Sequence, residues 1–203
     1  MKNLSMFSAV LASMLSVSVS FAQPVESDYY PITTIPLPEG EVIEVSGIDV
    51  LPGNKVAIAS RRGDIFVGEG VFGEDPNPKW RLFARGLHEV LGIAWKDDWL
   101  YLTQRPEVSR IKDSDGDGRA DVFETLGDGW GINGDYHEYA FGIVRDSEGN
   151  FYGTLNTSLS WVGWAGSSKW DVGRVHDGKM GRAARYRGWS FQVTKDGRFI
   201  PWS

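Results

Sequence analysis

The chain has 203 residues, a formal net charge of −6 and no cysteine. An acidic chain is a poor partner for nucleic acid or an anionic membrane surface, because like charges repel. The absence of cysteine excludes disulfides, zinc–thiolate sites and covalent haem attachment within these residues. The chain contains 25 glycines and nine tryptophans and shows no sustained helical period, so the composition favours an all-β fold with many tight turns.

The first 22 residues have the pattern of a secretory signal peptide. Lys2 precedes a weakly apolar stretch, and Ser20 and Ala22 place small residues at −3 and −1 of a cleavage site after Ala22. A retained membrane anchor is the alternative, but six serines interrupt the stretch. We therefore predict a signal peptide at 1–22 and a mature domain at 23–203 that is secreted or periplasmic and has no membrane span after cleavage.

The mature chain contains a structural repeat. Four segments have the pattern strand, Gly/Asp/Asn turn, strand, and they begin at Gly47, Gly92, Gly142 and Ser190. A second pair of strands follows the first two, at 63–68 with 79–85 and at 107–112 with 121–126.

Four strands in each 45 to 50 residues predict the blades of a β-propeller. An irregular β-sandwich is the alternative, and it would not explain the recurring period. We expect six blades in the complete propeller, of which residues 23–203 supply an N-terminal fragment of about three to four.

The run from Asp113 to Glu124 has the ligand spacing of an EF-hand-type calcium loop. Carboxylates occupy positions 1, 3, 5, 9 and 12, Gly118 occupies position 6, and a backbone carbonyl occupies position 7. The predicted ligands are Asp113, Asp115, Asp117, Arg119 through its carbonyl, Asp121 and Glu124. A solvated acidic turn is the alternative. In a propeller this loop joins the third and fourth strands of the second unit, so we predict a structural Ca²⁺.

Polar residues also gather at the other end of the predicted blades. In a propeller, the segment that leads into the first strand of a blade lies at the same end as the residue that follows the second strand. This places His137 near Arg61, Arg105 and Asn156. Two guanidiniums, an amide and an imidazole suit an anionic cofactor or substrate beside a general base. The alternative is a structural histidine with arginines that cap carbonyls.

Parts of the chain resemble the glucose/sorbosone dehydrogenase family of soluble quinoprotein propellers. The resemblance rests on Gly47–Val67, on the segment around His137, and on Gly142-Ile143 with Asp146–Tyr152. The loop at Asp113–Asp121 and the residues after it resemble the corresponding segment of large secreted members of this family, which often carry a cytochrome c module.

The resemblance implies a specific chemistry. His137 would act as the general base that removes a hydroxyl proton from a sugar or polyol while hydride passes to pyrroloquinoline quinone. Arg61, Arg105 and Asn156 would line the cofactor pocket, and a cytochrome c module or another electron acceptor would be the partner.

A non-catalytic, calcium-stabilised propeller that binds carbohydrate or protein is the alternative function. The loop with Trp161, Trp164 and Trp170 supplies indoles that can stack on sugar rings. The same tryptophans can instead pack between blades.

Overall fold

The computed structural model describes residues 23–132, 137–157 and 184–202. The predicted signal peptide and the tryptophan loop at 161–170 lie outside these residues. The chain divides after Thr34 into two compact units. The described part of the first unit contains one 3₁₀ turn, Glu26–Asp28, in which the Asp28 carboxylate accepts a hydrogen bond from the Val25 N–H at 3.0 Å. Among the described residues, no helix has the length and apolarity that a membrane crossing requires.

The second unit consists of three four-stranded antiparallel sheets in which each strand pairs with its neighbour in sequence. The first sheet contains β1 (Val45–Leu51), β2 (Lys55–Ser60), β3 (Ile65–Glu69) and β4 (Lys79–Ala84). The second contains β5 (Ile93–Lys96), β6 (Trp99–Thr103), β7 (Val108–Lys112) and β8 (Val122–Gly127). The third contains β9 (Ala140–Arg145), β10 (Phe151–Leu155), β11 (Ser190–Val193) and β12 (Phe199–Trp202). The predicted all-β class is confirmed.

Side chains of successive residues in a strand point to opposite faces of the sheet, and this alternation builds the cores between sheets. On β2, Ala57 and Ala59 lie in one core with Leu102 of the second sheet, whereas Val56 and Ile58 lie in a separate cluster on the opposite side. The small alanines allow the first two sheets to pack closely. Between the second and third sheets, aromatic rings fill the space: Tyr101 stacks on Phe151 with ring centroids 4.3 Å apart.

Glycines allow the first strands of the three sheets to approach one another. A methyl group at Gly92 would lie 2.5 Å from the carbonyl carbon of Gly142, and one at Gly47 would lie 3.2 Å from the backbone nitrogen of Ile93. The repeated Gly-Ile pairs of the sequence are therefore the points at which backbones meet. Sheets that meet through their first strands have the arrangement of propeller blades.

The hairpin at Ser190 differs from its prediction. It was expected to begin a fourth unit, but β11 pairs with β10, with Phe151 opposite Val193, and β12 completes the same sheet. Phe191 and Val193 are buried in the core between the second and third sheets. Strand pairing here follows the apolar face and not the spacing along the chain. The assignment of a unit beginning near Ser190 is therefore wrong, and the described residues form three sheets.

Candidate functional site

The strand ends bring the predicted polar residues to one end of the sheets. In each sheet, a residue one or two positions after the second strand donates its backbone N–H to a carbonyl in the segment that leads into the first strand. These bonds are Arg61 to Glu44 (3.0 Å), Arg105 to His88 (3.1 Å) and Asn156 to Tyr139 (2.9 Å). The three positions are thus structurally equivalent. We call this end of the sheets the upper end.

Glu89 links the first two sheets at the upper end. One of its carboxylate oxygens lies 3.6 Å from Nη1 of Arg61, and the other lies 3.1 Å from Nη1 of Arg105. Arg61 also donates to Glu44 at 2.9 Å through Nη2. Glu89 adopts a left-handed backbone conformation with φ of 48°. Such a conformation is uncommon for a non-glycine residue and persists where the surrounding structure enforces it.

Gln104 supports this left-handed segment. Its side chain is buried, accepts a hydrogen bond from the His88 N–H at 2.6 Å and donates to Ser109 Oγ at 2.6 Å. The amide is therefore fixed on both sides and holds the residue next to Glu89. This role could not be predicted from the sequence, because a glutamine after a strand has no distinctive pattern.

In the third sheet, the upper end is held by Asn156. Its side-chain amide donates to the backbone carbonyl of His137 at 2.7 Å. The guanidinium of Arg105 lies 6.0 Å from the centre of the Tyr139 ring, which connects the second sheet to the same segment. The structure thus brings Asn156 and His137 together, and the contact that joins them is between an amide and a backbone carbonyl.

A buried ion pair lies behind this segment. Arg187 and Glu138 have side chains that are 1% and 0% exposed, and Nε of Arg187 lies 3.5 Å from a carboxylate oxygen of Glu138. Arg187 also donates to the carbonyls of Gly131 and Tyr139. Burial lowers the pKa of Arg187 to about 10; Glu138 opposes this shift, and nearby Arg105 adds to it. Nη2 of Arg187 finds no hydrogen-bond partner within the described part of the chain.

The two arginines predicted to line a cofactor pocket, Arg61 and Arg105, do not fit an anionic cofactor. Pyrroloquinoline quinone carries carboxylates, and its recognition would require guanidiniums that are not already neutralised. Arg61 is paired with Glu44 and Glu89, and Arg105 is paired with Glu89. An anion at either guanidinium would have to replace a carboxylate of the protein.

The acidic loop places three of its predicted ligands together. One carboxylate oxygen from each of Asp113, Asp115 and Asp117 lies within 4.8 Å of the others. Backbone N–H groups hold these carboxylates in place, with Gly116 and Gly118 both donating to Asp113, at 2.7 and 2.8 Å. Three hard oxygen donors in a constrained turn fit Ca²⁺.

The remaining carboxylates of the loop have other partners. Asp121 accepts hydrogen bonds from the backbone N–H and hydroxyl of Ser114, at 2.7 and 2.5 Å. Glu124 lies in β8 opposite Arg110, whose Nη2 is 2.6 Å from its carboxylate. Among the described residues, the cluster of close carboxylate oxygens includes neither Asp121 nor Glu124. Arg119, the predicted carbonyl donor, is exposed.

The acidic loop lies away from the upper end. It joins β7 to β8, and Lys112 pairs with Val122 at its base, which is the end where β5 turns into β6. The Ala120 N–H donates to the carbonyl of Phe83 in β4 at 2.8 Å. The loop therefore also attaches the second sheet to the first, and a cation there would be too far from the upper end to polarise a ligand.

A concavity on the third sheet lies at neither place. It has a volume of about 390 Å³ and lies on the face of the third sheet that points away from the second. Its walls include Phe141, Val144, Tyr152, Phe191 and Trp202. This lining is mainly apolar and offers no titratable pair for catalysis.

No protein-family model and no curated protein matches the sequence. Among solved structures, the chain is similar to a virginiamycin B lyase from Staphylococcus aureus, with 13% identity and a TM-score of 0.42 over 78% of this chain and 41% of the lyase. A catalytically inactive variant of that lyase with quinupristin gives 15% identity and a TM-score of 0.41 over the same shares. The computationally designed Ika4 protein gives 16% identity and a TM-score of 0.37, over 81% of this chain and 93% of Ika4. The chain thus spans less than half the length of the lyase.

Proposed function

We propose that the chain is part of a secreted or periplasmic, calcium-stabilised β-propeller, six-bladed when complete, whose upper end binds a sugar or polyol. The observation that carries this proposal is a set of polar side chains at the upper end in which ion pairs join the first two sheets. Glu44, Arg61, Glu89 and Arg105 form one chain of ion pairs. Arg105 lies over the Tyr139 ring of the third sheet, where the Asn156 amide holds the carbonyl of His137.

The chemistry of this set favours a neutral ligand with many hydroxyl groups. Each hydroxyl can accept from a guanidinium and donate to a carboxylate at the same time. Because Arg61 and Arg105 already have carboxylate partners, the set offers donors and acceptors side by side without a large excess of positive charge. Tyr139 adds an aromatic ring next to Arg105.

Binding can be tested by titration calorimetry with a panel of sugars and polyols. Glu89→Ala should weaken binding at least about tenfold, which corresponds to about 1.4 kcal/mol, because it removes the acceptor shared by two arginines. Glu124→Ala is the matched control, since it removes a carboxylate from an ion pair away from the upper end. Equal affinity of Glu89→Ala and the original chain for every ligand would exclude this site.

Oxidation of the bound hydroxyl compound is the second candidate function. It is favoured by the Asn156 amide, which fixes the backbone of His137 at the upper end. His137 would take the hydroxyl proton as general base while the carbon gives a hydride to an acceptor and becomes a carbonyl. The family resemblance suggests a quinone with an onward cytochrome c module as the acceptor, and the ion-paired Arg61 and Arg105 are not its carboxylate-binding groups.

The two candidates are separated by His137→Ala. With calcium, pyrroloquinoline quinone and a dye acceptor present, a dehydrogenase role requires sugar-dependent dye reduction that this variant loses while it still binds the sugar. His88→Ala is the control, because His88 is a second histidine of the upper end. Absence of dye reduction by the original chain with any sugar would leave binding alone as the function.

A further inference from the structure

A small concavity lies between the outer strands of the second sheet, β7 and β8, and the segment that leads out of the first sheet. Its volume is about 100 Å³. Leu87, whose N–H donates to the carbonyl of Gly63 at 3.0 Å, forms the wall on the side of the first sheet. None of the described residues that line the concavity belongs to the set proposed to bind a sugar.

The strand register determines which side chains of the second sheet line this concavity. Ile111 lies in the core shared with the first sheet, and Ser109, two residues earlier in β7, points to the same face. On the neighbouring strand, Phe123 pairs with Ile111, and Thr125 pairs with Ser109. The Phe123 ring is 51% exposed. The lining therefore has an apolar half and a half that carries hydroxyl groups.

Glu107 supplies the negative charge of the concavity. Its carboxylate accepts hydrogen bonds from the hydroxyls of Ser109 and Thr125, at 2.6 and 3.1 Å. Among the described residues, no cationic side chain pairs with this carboxylate. The neighbouring Glu124 is different, because its side chain points to the opposite face, where Nη2 of Arg110 lies 2.6 Å from its carboxylate. One carboxylate without a counter-charge thus faces a half-apolar space.

A network of hydrogen bonds holds Glu107 in this position. Buried Gln104 donates to Ser109 Oγ at 2.6 Å, so the hydrogen of the Ser109 hydroxyl is directed to Glu107. The backbone N–H of Gln104 also donates to the carbonyl of Glu107 at 2.8 Å. The carboxylate is therefore oriented before a ligand arrives, which lowers the ordering cost of binding.

We propose that this concavity binds the ammonium end of a primary alkylamine. An ammonium group has three donors, and the side-chain oxygens of Glu107, Ser109 and Thr125 each have an unused lone pair. The carbon chain of the amine would lie against Phe123 and Ile111.

Size and lining distinguish this ligand from other candidates. A volume of about 100 Å³ equals that of about three water molecules in the liquid, which suits the end of a short carbon chain and excludes a sugar ring. Ca²⁺ takes six to eight oxygen ligands and gains nothing from an apolar wall. An alkylammonium uses both halves of the lining.

Binding can be measured from the amide NMR signals of the full chain during titration with butylammonium chloride. The Ser109 and Thr125 amides should shift to saturation, and affinity should rise from ammonium to ethylammonium to butylammonium as more carbon is buried. Tetramethylammonium chloride has the charge but no N–H donor and should bind at least about tenfold more weakly. An equal response to potassium chloride would overturn the proposal, because it would show a general effect of salt.

Glu107→Gln is the decisive variant, because it removes the charge and keeps the shape of the side chain. It should weaken butylammonium binding at least about tenfold. Glu148→Gln is the matched control, since Glu148 is exposed in the turn between β9 and β10 and its loss changes the net charge equally. Equal affinity of Glu107→Gln and the original chain for butylammonium would overturn the site.

Two further measurements identify the ligand class. Phe123→Ala should remove the gain in affinity from ethylammonium to butylammonium and leave ammonium binding unchanged; an undiminished gain would contradict the apolar contact. A blocked lysine peptide identifies the source of the ammonium group. Binding of butylammonium but not of the peptide would assign the site to free amines, and binding of both would extend it to lysine side chains.

Discussion

At the scale of single residues, the buried Arg187–Glu138 pair is the most sensitive feature of the upper end. We expect Arg187→Met to lower the free energy of unfolding by about 3–5 kcal/mol, because it leaves a buried carboxylate without this counter-charge. It also removes the donors to the Gly131 and Tyr139 carbonyls. Urea denaturation measures the change.

The neighbouring Arg185 provides the control for this prediction. Arg185 is exposed, and Arg185→Met should change stability by about 0.5 kcal/mol or less. Addition of Glu138→Leu to Arg187→Met should restore part of the loss, since it removes the buried charge itself. Equal stability of Arg187→Met and Arg185→Met would show that the pair contributes nothing.

Asp146 provides a pH-dependent prediction in the turn between β9 and β10. Hydrogen bonds from the Asn150 side chain and backbone, the Tyr152 hydroxyl and the Glu148 N–H hold the pKa of Asp146 well below its usual range. A depressed carboxyl pKa stabilises the fold above the unfolded pKa of about 3.9, and this contribution fades as the pH falls below that value.

We therefore expect Asp146→Ala to melt several degrees below the original chain at neutral pH. The difference in melting temperature should shrink as the pH is lowered below about 4, because the original chain then loses its own contribution. Thermal melts followed by circular dichroism between pH 7 and pH 3 test this. A difference that stays constant across that range would show that ionisation of Asp146 is not involved.

Single residues also show which parts of the site a sequence can predict. The equivalence of Arg61, Arg105 and Asn156 could be predicted because strand ends follow from the repeat. The charged partners of these residues could not be predicted. Glu89 reaches the arginines from an uncommon backbone conformation, and nothing in the sequence distinguishes buried Arg187 from exposed Arg185. The ion pairs of Arg61 and Arg105 favour the proposed binding of neutral hydroxyl compounds over the binding of an anion.

At the scale of elements, the acidic loop carries the calcium prediction. Asp115→Ala combined with Asp117→Ala should remove two of three clustered ligands and abolish the calcium dependence of the melting temperature. In the original chain, calcium should stabilise the fold by about 1.4–2.7 kcal/mol when its free concentration exceeds Kd by about 10- to 100-fold. Differential scanning calorimetry with and without a chelator measures this.

Glu124→Gln distinguishes a calcium site formed by the three clustered aspartates from the larger ligand set that the twelve-residue spacing predicts. Glu124 pairs with Arg110, so this variant should keep the calcium-dependent shift. Loss of the shift in Glu124→Gln would mean that the glutamate leaves Arg110 to bind the ion, as the twelve-residue spacing predicts. Loss of ligand binding at the upper end in a fully folded Asp115→Ala, Asp117→Ala variant would contradict a purely structural ion.

The elements themselves were mostly predictable. Periodic apolar runs placed the first two sheets to within two residues at each strand end, as for the pair predicted at 107–112 with 121–126, which is found at Val108–Lys112 with Val122–Gly127. The hairpin at Ser190 was recognised but assigned to the wrong sheet. Its spacing matched the repeat, whereas its pairing is decided by Phe191 and Val193, which share a core with Trp130.

At the scale of the whole molecule, stability should depend on the contacts that join neighbouring sheets. The acidic loop of the second sheet supplies one such contact, because the Ala120 N–H donates to the carbonyl of Phe83 in the first sheet. Calcium bound to the loop should therefore stabilise the first two sheets together and not the second sheet alone.

We expect the first two sheets to unfold in one cooperative transition when calcium is bound, and removal of calcium to lower its melting temperature. Calorimetry of the original chain and of the Asp115→Ala, Asp117→Ala variant, each with and without chelator, gives the four values needed. A transition that splits in two while calcium is bound would show that the loop does not couple the second sheet to the first.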